Sequence, residues 1–400
     1  MESFDALIIG GGPAGATAGC LLAQAGWRVA VAESKAFPRR KVCGEYLSAT
    51  NLPLLRKLGV ADLFCEMAGP PVTETAVFAR QLKVIAPLPR IVSPAPNSGR
   101  ALSRERLDLL LLENAARAGA HVMQPCRCVS VAFAVDGFRV QLAANHADET
   151  TELHARSVIA AHGSWDHGEL PAQRQSTAHS SHDWLAFKAH FQHAALPVGL
   201  MPLLSFADGY GGMVHCDNGL VSLSCCIQRR RLDQLRRGPG QSAGAAVCDH
   251  ILNSTPVLRP ILDSAALAGP WLSVGPIRTG FRRCYQNGMF LIGNAAGEAH
   301  PVVAEGISMA MQSAWLLVEQ LLPQRAKIGH SEVRAQVAAA YTRAWKKSFS
   351  SRIRFAAAIG HWAKRPQLVA ATIPWLRQWP RLLTWGAGLS GKIHVVVDRG

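Results

Sequence analysis

The chain has 400 residues, of which 49% are hydrophobic and 17% charged, so it can bury a full core and is not a disordered chain. The formal net charge is +15 at pH 7. No apolar run reaches the roughly 18–20 residues that a membrane-spanning helix requires, and we expect no signal peptide. The ten cysteines have neither zinc-site nor disulfide-framework spacing, so we predict a cytoplasmic protein without a metal site.

The N-terminal segment has the pattern of a dinucleotide-binding turn. Residues 7–9 form a short apolar run that predicts a buried parallel strand, and the alanine-rich residues 16–25 predict a helix. Between them, Gly10, Gly12 and Gly15 have G-x-G-x-x-G spacing. The first glycine allows a tight turn, the second lets the backbone approach a pyrophosphate, and the third lets the helix pack on the strand.

Neighbouring residues support the same prediction. Pro13 and Ala14 lie at the helix start, where free N–H groups and the helix dipole favour a phosphate. A second apolar strand at 27–32 ends at Glu33, which Ser34 follows. A carboxylate at this position is expected to accept a hydrogen bond from a ribose hydroxyl. We therefore predict that these residues and the three glycines bind a dinucleotide.

The remaining pattern predicts a mixed α/β chain. Helices are predicted at 49–58, 103–118, 239–267 and 306–321. Strands are predicted within 76–92, 129–142, 153–161, 181–227 and 290–293. The glycine turns within 181–227 are typical of a sheet, which would form the floor of a substrate domain.

Three more segments accompany the N-terminal turn: RKVCGE at 40–45, SRERLD at 103–108, and LIGNAAG at 291–297, which continues to 310. In order and spacing, these segments resemble the FAD-dependent superfamily of geranylgeranyl reductases and aromatic-hydroxylase-type flavin monooxygenases, over roughly residues 4–325. The resemblance implies an α/β fold with a Rossmann-like FAD-binding domain of the glutathione-reductase type, an inserted mixed or antiparallel β-sheet substrate domain and a helical C-terminal tail. We assign residues 1–75, 98–168 and 276–330 to the discontinuous FAD-binding domain, 76–97 and 169–275 to the substrate domain, and 331–400 to the tail.

The resemblance also implies which residues contact the cofactor. Besides the residues of the N-terminal turn, these are Arg40, Cys43, Arg104, Gly163, Gly293, Asn294, Gly306 and Ile307. Arg104 corresponds to the arginine of an R-x-x-L-D segment that reaches the pyrophosphate, which a guanidinium fork suits well. Asn294 stands where the family usually has Asp, and it keeps an acceptor oxygen. The helix that begins near Gly306 would direct its N–H groups to the flavin edge on which charge accumulates upon reduction.

Candidate catalytic residues are Cys43, Gly44, His300 and Pro301, all of which the resemblance implies near the flavin ring. Cys43 either shapes the pocket or is an inert buried thiol. FAD is the predicted cofactor and NAD(P)H the expected electron donor. His162 replaces an Asp that many hydroxylases have in a segment linked to both FAD and NADPH, which leaves a different donor open.

The C-terminal segment is basic and rich in tryptophan. From Arg343 onward it has eleven Lys or Arg residues and a single acid, Asp398. It also holds five of the ten tryptophans: Trp345, Trp362, Trp375, Trp379 and Trp385. Basic residues interleaved with Trp and Leu predict either a peripheral contact with an anionic membrane or a helical tail packed on the protein's own core. No recognition motif accompanies the charge, so we do not predict nucleic-acid binding.

The substrate face is predicted on the sheet within 181–227, where apolar and aromatic side chains with a few hydrogen-bonding groups suit a lipophilic or aromatic small molecule. Its candidate residues are Phe187, Lys188, His190, Phe191, Phe206, Tyr210, Met213 and His215. An ordinary sheet core would have the same composition.

Three functions stay open for this sequence. Hydroxylation of a lipophilic or aromatic, polyketide-like substrate by reduced FAD and oxygen comes first by a thin margin. Reduction of an isoprenoid double bond is favoured by the 40–45 segment and the tail, whereas a non-enzymatic lipid-binding role is disfavoured by the complete glycine turn. Halogenases of this fold carry a W-x-W-x-I-P signature, and neither Trp165 nor Trp184 has that context.

Overall fold

The computed structural model describes residues 2–89, 98–144, 150–165, 170, 180–236, 242–392 and 395–397. The strands are β1 (Glu2–Ile9), β2 (Val29–Ala32), β3 (Tyr46–Leu47), β4 (Glu74–Ala79), β5 (Leu82–Pro87), β6 (Arg100–Ala101), β7 (His121–Met123), β8 (Cys126–Ala134), β9 (Gly137–Ala144), β10 (Thr150–Ala160), β11 (Trp184–Gln192), β12 (Leu200–Phe206), β13 (Gly209–His215), β14 (Val221–Gln228), β15 (Ala266–Leu267), β16 (Leu272–Ile277), β17 (Gly280–Phe281), β18 (Tyr285–Gln286), β19 (Met289–Leu291) and β20 (Gly297–Glu298). The α-helices are α1 (Pro13–Gln24), α2 (Leu52–Lys57), α3 (Ala61–Met67), α4 (Arg104–Arg117), α5 (Arg229–Leu235), α6 (Ala243–Ser254), α7 (Arg259–Leu262), α8 (Gly306–Leu321), α9 (Ser331–Ala363), α10 (Pro366–Gln378) and α11 (Arg381–Ala387).

The first sheet has a parallel centre and carries the N-terminal turn. Its order is β18-β19-β10-β1-β2-β7, and β1 pairs in parallel with both β2 and β10. The hairpin of β8 and β9 joins β10 in antiparallel pairing. Helices α1, α4 and α8 share one hydrophobic core with Ile8 and Val31 of the central strands. Because the carboxyl ends of β1, β2, β10 and β19 lie at one edge, the loops that follow them can form one site.

The second sheet is mixed, with the order β15-β11-β14-β13-β12-β4-β5, and β16 also pairs with β11. Only β12 and β4 pair in parallel, and the remaining described pairs of this sheet are antiparallel. Helix α6 packs on it, with Val247 and Ile251 in one core with Phe206 and Leu223. The two sheets confirm the predicted fold class of a Rossmann-like domain with an inserted mixed or antiparallel sheet.

The elements refine the predicted bounds. The helix predicted at 49–58 is a short 3-10 turn (Ala49–Asn51) followed by α2, and the segment 239–267 divides into α6, α7 and β15. The second sheet includes β4 from Glu74 and β16 to Ile277, so it extends slightly past the boundaries predicted at 76 and 275. Some residues at the predicted domain boundaries lie outside the described residues, namely 90–97 and 166–169, and so do residues 398–400 of the tail.

The C-terminal tail is helical, as predicted, and packs on both parts of the fold. Helix α9 contacts α8, and its Trp345 and Phe349 are buried in the core of the first sheet. Helices α10 and α11 contact β4 and β5, and Val369 and Ile373 of α10 are buried there. Among the described residues, we find no helix with the length and apolarity needed to cross a membrane.

Candidate active site

The turn between β1 and α1 is shaped to receive a phosphate. Gly10 has φ +106°, and a Cβ there would lie 2.7 Å from the carbonyl oxygen of Ala161. A Cβ on Gly15 would lie 1.8 Å from the carbonyl oxygen of Gly10, so only glycine lets α1 pack this closely on the turn. By contrast, a Cβ on Gly12 would meet nothing closer than Arg104 Nη2 at 4.0 Å. The space beside Gly12, at the N-terminus of α1, is therefore open to an anionic ligand.

The end of β2 places a carboxylate beside this turn. Glu33 Oε2 accepts a hydrogen bond from the backbone N–H of Gly11 at 2.8 Å, and Oε1 accepts one from the N–H of Lys35 at 2.9 Å. Glu33 is buried, whereas Ser34 is half-buried. Carboxylate oxygens have further lone pairs, so Glu33 can also accept a hydrogen bond from a ribose hydroxyl, as the sequence predicts.

Arg104, the first residue of α4, is held against the turn by Asp108. Its Nε and Nη2 each donate to a carboxylate oxygen of Asp108 at 2.6 Å. Burial alone would lower the pKa of Arg104, but the charge and hydrogen bonds of Asp108 raise it. The guanidinium therefore stays charged, and it lies next to the open space at Gly12, where a phosphate would need a counter-charge.

The segment between β19 and α8 forms the other end of the site. Gly293 has φ +60°, its N–H donates to Ser313 Oγ at 2.7 Å, and a Cβ there would lie 3.0 Å from Ala14 Cβ. A Cβ on Gly306, the first residue of α8, would meet nothing within 4 Å. The N-terminus of α8 therefore opens on free space, as that of α1 does, and its dipole favours negative charge.

Both ends belong to one cavity of about 820 Å³. The predicted cofactor residues that line it are Gly10, Gly12, Pro13, Ala14, Glu33, Ser34, Cys43, Arg104, Gly163, Gly293, Asn294, Gly306 and Ile307. Gly15 packs under the turn, and Arg40 does not line the cavity but donates to the carbonyl oxygen of Pro270 at 3.2 Å. These residues fit FAD, whose pyrophosphate would be held at the start of α1 and whose ring would be held at the start of α8. When bound, FAD supplies two-electron chemistry to the site.

The 40–45 segment connects the FAD-binding end to the second sheet. Cys43 and Gly44 both line the cavity. Cys43 Sγ accepts a hydrogen bond from the N–H of Glu45 at 3.4 Å, and a Cβ on Gly44 would lie 3.3 Å from Ser224 Oγ of β14. This segment is therefore the point at which the cofactor end and the substrate sheet come together.

Glu45 is buried at the centre of a charged cluster that no local pattern indicates. One carboxylate oxygen accepts hydrogen bonds from Lys188 Nζ and from the N–H of Arg104, the latter at 3.0 Å, and the other lies 2.7 Å from His190 Nε2. Burial alone would raise the pKa of Glu45, but His190 and Lys188 lower it to about 2. Glu45, His190 and Cys216 are close enough together to hold a metal ion. Because the Lys188 ammonium already neutralises the carboxylate, we interpret the group as an ion-paired cluster.

His300 is buried behind the cavity wall, whereas Pro301 lines the cavity. The Nδ1 atom of His300 lies 2.6 Å from the hydroxyl of Tyr210, which does line the cavity, and its ring packs edge-on to Trp184. Burial and the charge of Lys364 lower the pKa of His300 to about 4. At neutral pH the imidazole is therefore uncharged, and it contacts the hydroxyl of a residue that lines the cavity, Tyr210.

The structure brings part of the predicted substrate face to the cavity. Phe187, Tyr210 and Met213 line it. Of the other predicted residues, Lys188 and His190 contact Glu45, Phe191 and Phe206 pack in the core with α6, and His215 contacts the carbonyl oxygen of Leu196.

The C-terminal helices form a wall of the cavity that the sequence interpretation did not assign. Its apolar side chains come from α9, α10 and α11 and include Phe355, Ile359, Trp362, Trp375, Leu376, Leu382, Leu383 and Trp385. After α11, a π-helical turn (Gly388–Lys392) brings Lys392 to the cavity. Lys392 Nζ donates to Val303 O at 2.7 Å and to Glu305 Oε1 at 2.9 Å. The interleaved Trp and Leu residues were the one sequence signal for this wall.

Comparison with known proteins agrees with this geometry. Residues 3–326 match the family model described as "FAD binding domain", a match that contains both glycine segments of the site. The chain belongs to this FAD-binding family. The resemblance to FAD-dependent oxidoreductases that its motifs suggested is confirmed.

Menaquinone reductase of Mycobacterium tuberculosis is 26% identical to the chain over 349 residues, and the match covers 80% of this chain and 77% of that protein. The myxobacterial chondrochloren halogenase CndH superimposes with a TM-score of 0.77 at 22% identity, covering 100% of this chain and 93% of its own. A geranylgeranyl bacteriochlorophyll reductase-like protein from Thermoplasma acidophilum gives a TM-score of 0.72 at 18% identity, covering 94% of this chain and 92% of its own. The two structural likenesses show the fold alone.

Proposed function

We propose that this FAD-dependent oxidoreductase reduces a carbon–carbon double bond in a lipophilic substrate with an isoprenoid or similar apolar chain. The observation that carries this proposal is the extent of the cavity. It includes both the FAD-binding residues and a wall of Trp, Leu and Phe side chains from the C-terminal helices. A wall of this composition suits a long apolar chain held beside the cofactor.

A relative that is similar over most of both proteins also supports reduction. It is named menaquinone reductase, and it is similar to this chain well beyond the FAD-binding turn. The sequence motifs alone put hydroxylation narrowly first. The apolar wall and this relative lead us to place reduction ahead of it.

Tyr210 and His300 are suited to supply the proton that the reduction requires. A double bond that accepts a hydride at one carbon needs a proton at the other. Tyr210 lines the cavity, and its hydroxyl lies 2.6 Å from His300 Nδ1. Burial raises the pKa of Tyr210 well above its usual range, so the hydroxyl is protonated at neutral pH. We infer that Tyr210 gives its proton to the substrate carbon and that the proton is replaced by way of His300.

Hydroxylation is the second candidate, and a specific observation favours it. The aromatic side chains Phe187, Tyr210 and Trp165 all line the cavity, and a ring substrate would pack on them. NAD(P)H is the proposed electron donor for either reaction. His162 lines the cavity and stands where an Asp linked to NADPH is expected, which leaves a different donor open. The donor is therefore tested by following flavin reduction with NADH, with NADPH and with dithionite.

The deciding experiment is product analysis by mass spectrometry. The FAD-loaded protein is reduced without oxygen and given a quinone with an unsaturated isoprenoid chain, or in parallel a long-chain alkylphenol. Gain of two hydrogens that persists after the quinol has been reoxidised to the quinone, without gain of oxygen, supports reduction of a chain double bond. Gain of one oxygen atom, only after air is admitted, would establish hydroxylation instead. Exchange of a hydrogen for a halogen atom, when a halide salt and air are both supplied, would establish halogenation. A reduced flavin that converts neither substrate under either condition contradicts both candidates.

A matched variant tests the proton donor. Tyr210→Phe keeps the ring that packs beside Trp184 and removes only the hydroxyl. We expect FAD content and the rate of flavin reduction to stay unchanged, while the rate of product formation falls about 10²-fold or more, since a general acid typically contributes about 10²–10⁴-fold. An unchanged rate of product formation would exclude this role for Tyr210.

A further inference from the structure

Helices α10 and α11 expose an apolar surface on the side away from the second sheet. Their inner side chains, such as Val369 and Ile373, are buried against β4 and β5. Their outer side chains include three tryptophans that are more than half exposed: Trp375 at 57%, Trp379 at 56% and Trp385 at 66%. Together with exposed leucines nearby, they form what we call the tryptophan surface: Leu368, Trp375, Trp379, Leu382, Trp385 and Leu389. Exposed apolar groups of this size commonly mark a binding surface.

The charge around this surface has one sign. Between Glu332 and Asp398 the sequence contains no acidic residue, and two exposed arginines flank this surface: Arg365, directly before α10, and Arg381, the first residue of α11. Tryptophans beside basic residues have the composition that lies at the boundary between lipid headgroups and acyl chains of an anionic membrane. A second copy of the chain is a poorer occupant, because two cationic surfaces brought together repel each other.

The tryptophan surface also lies at the opening of the cavity. Trp375, Leu382 and Trp385 are exposed and at the same time line the cavity. We propose that this surface docks on an anionic lipid bilayer, so that the cavity opens toward the lipid phase. A molecule dissolved in the bilayer can then enter between these side chains without crossing water. The proposal concerns binding to lipid only, and it does not depend on which reaction the protein catalyses.

Vesicle flotation tests the apolar part of this proposal. The full FAD-loaded chain is mixed with vesicles of phosphatidylcholine alone or with phosphatidylglycerol, and the bound fraction is measured. The double variant Leu368→Ser, Trp379→Ser changes two exposed residues that do not line the cavity. We expect the wild type to float with the anionic vesicles and the variant to lose most of that binding. Val135→Ser, at an exposed apolar residue in the turn between β8 and β9, is the matched control and should bind as the wild type does.

Charge reversal tests the electrostatic part. We expect Arg365→Glu with Arg381→Glu to reduce binding to anionic vesicles several-fold, and added salt to weaken wild-type binding, because exposed charges are screened. Arg139→Glu, at an exposed position of strand β9, is the control for a change of net charge elsewhere. An effect of Arg139→Glu equal to that of the helix variants would mean that net charge, and not this surface, governs binding.

Other results would overturn the proposal. They are a wild type that floats with no vesicle, or a Leu368→Ser, Trp379→Ser variant that floats equally well. If the wild type sediments as a dimer without vesicles and this variant as a monomer, a second copy covers the surface instead. Flavin content and melting temperature check that the variants are folded. Quenching of wild-type tryptophan emission by lipids brominated in the acyl chains provides a measurement that needs no variant, and absence of quenching contradicts docking.

Discussion

The Glu45 cluster gives the sharpest test of how the two sheets are held together at the cavity. Glu45→Gln keeps the shape of the side chain and removes its charge, so the ammonium of Lys188, which is 1% exposed, loses its counter-charge. Removing one member of a buried pair costs about 3–5 kcal/mol. The lowered pKa of Glu45, about 2 against an ordinary 4.5, gives a similar value of about 3 kcal/mol. If the 400 residues unfold in one transition, the melting temperature should fall by about 4 °C.

The assay is thermal unfolding at neutral pH with saturating FAD, for four proteins that form a double-mutant cycle. Lys188→Met leaves the buried carboxylate of Glu45 without the ammonium, and Glu45→Gln leaves the buried ammonium of Lys188 without the carboxylate. The double variant removes both charges and should recover most of the lost stability. Glu66→Gln, at an exposed position of α3, is the control and should not change the melting temperature. A double variant that melts no higher than Glu45→Gln would refute the ion-pair interpretation.

The pH dependence has a defined sign. A carboxyl group whose pKa is lower in the folded than in the unfolded state stabilises the fold above the unfolded pKa, and this contribution is lost as the pH falls through the folded pKa. For Glu45 the contribution is complete above about pH 4.5 and disappears toward about pH 2. The stability difference between the wild type and Glu45→Gln should therefore narrow only in this acidic range. A difference that already disappears near neutral pH would contradict the assignment to Glu45.

Three further predictions follow from the site. The Cβ of Gly12→Ala meets no protein atom closer than 4.0 Å, so this variant should leave the apoprotein's melting temperature unchanged. It should weaken FAD binding about 10²-fold, as measured by calorimetry. Gly15→Ala should instead destabilise the protein itself by about 1–3 kcal/mol. Equal loss of stability in both variants would contradict this division of roles. Lys392→Met removes the ammonium that pairs with Glu305 beside the start of α8 and should make the flavin midpoint potential more negative in a redox titration. An unchanged potential would exclude an electrostatic role for Lys392. Because burial lowers the pKa of His300 to about 4, stability should fall as the pH drops from about 6.5 to about 4, and His300→Asn should reduce that fall in pH-dependent melting curves.

The parts of the site that the sequence predicts are those encoded by contiguous residues. The glycine turn works through neighbours along the chain: Gly15 lies against Gly10, and Gly12 is open to the ligand. The bounds of α8 were predicted to the residue, because Gly306 interrupts the apolar pattern at its start. Arg104 was predicted from a short motif, and its pairing with Asp108 is one turn of helix away.

The parts that the sequence does not predict depend on contacts between distant segments. Glu45 and His190 are 145 residues apart, and Tyr210 and His300 are 90 apart. Each of these residues would be compatible with an exposed loop or an ordinary strand if only its neighbours in sequence were considered. Their roles depend on how the second sheet packs on the first. No local pattern in a single sequence indicates that packing.

The tail shows why composition alone could not decide between core packing and a membrane surface. Trp345 is buried, and a Cβ on Gly297 would lie 2.6 Å from its ring, so this motif glycine makes room for the tail. A Cβ on Gly360 would likewise lie 2.7 Å from the His300 ring, so α9 packs tightly behind the cavity. Only the later helices expose their tryptophans, among them Trp379. Core packing is therefore confirmed for α9 and for the inner side of α10, whereas the membrane surface stays a prediction for the exposed side chains of the later helices. Deleting the tail from Arg343 onward would remove the support of His300 together with the exposed surface, so substitutions at surface residues such as Trp379 are needed to separate lipid binding from the integrity of the site.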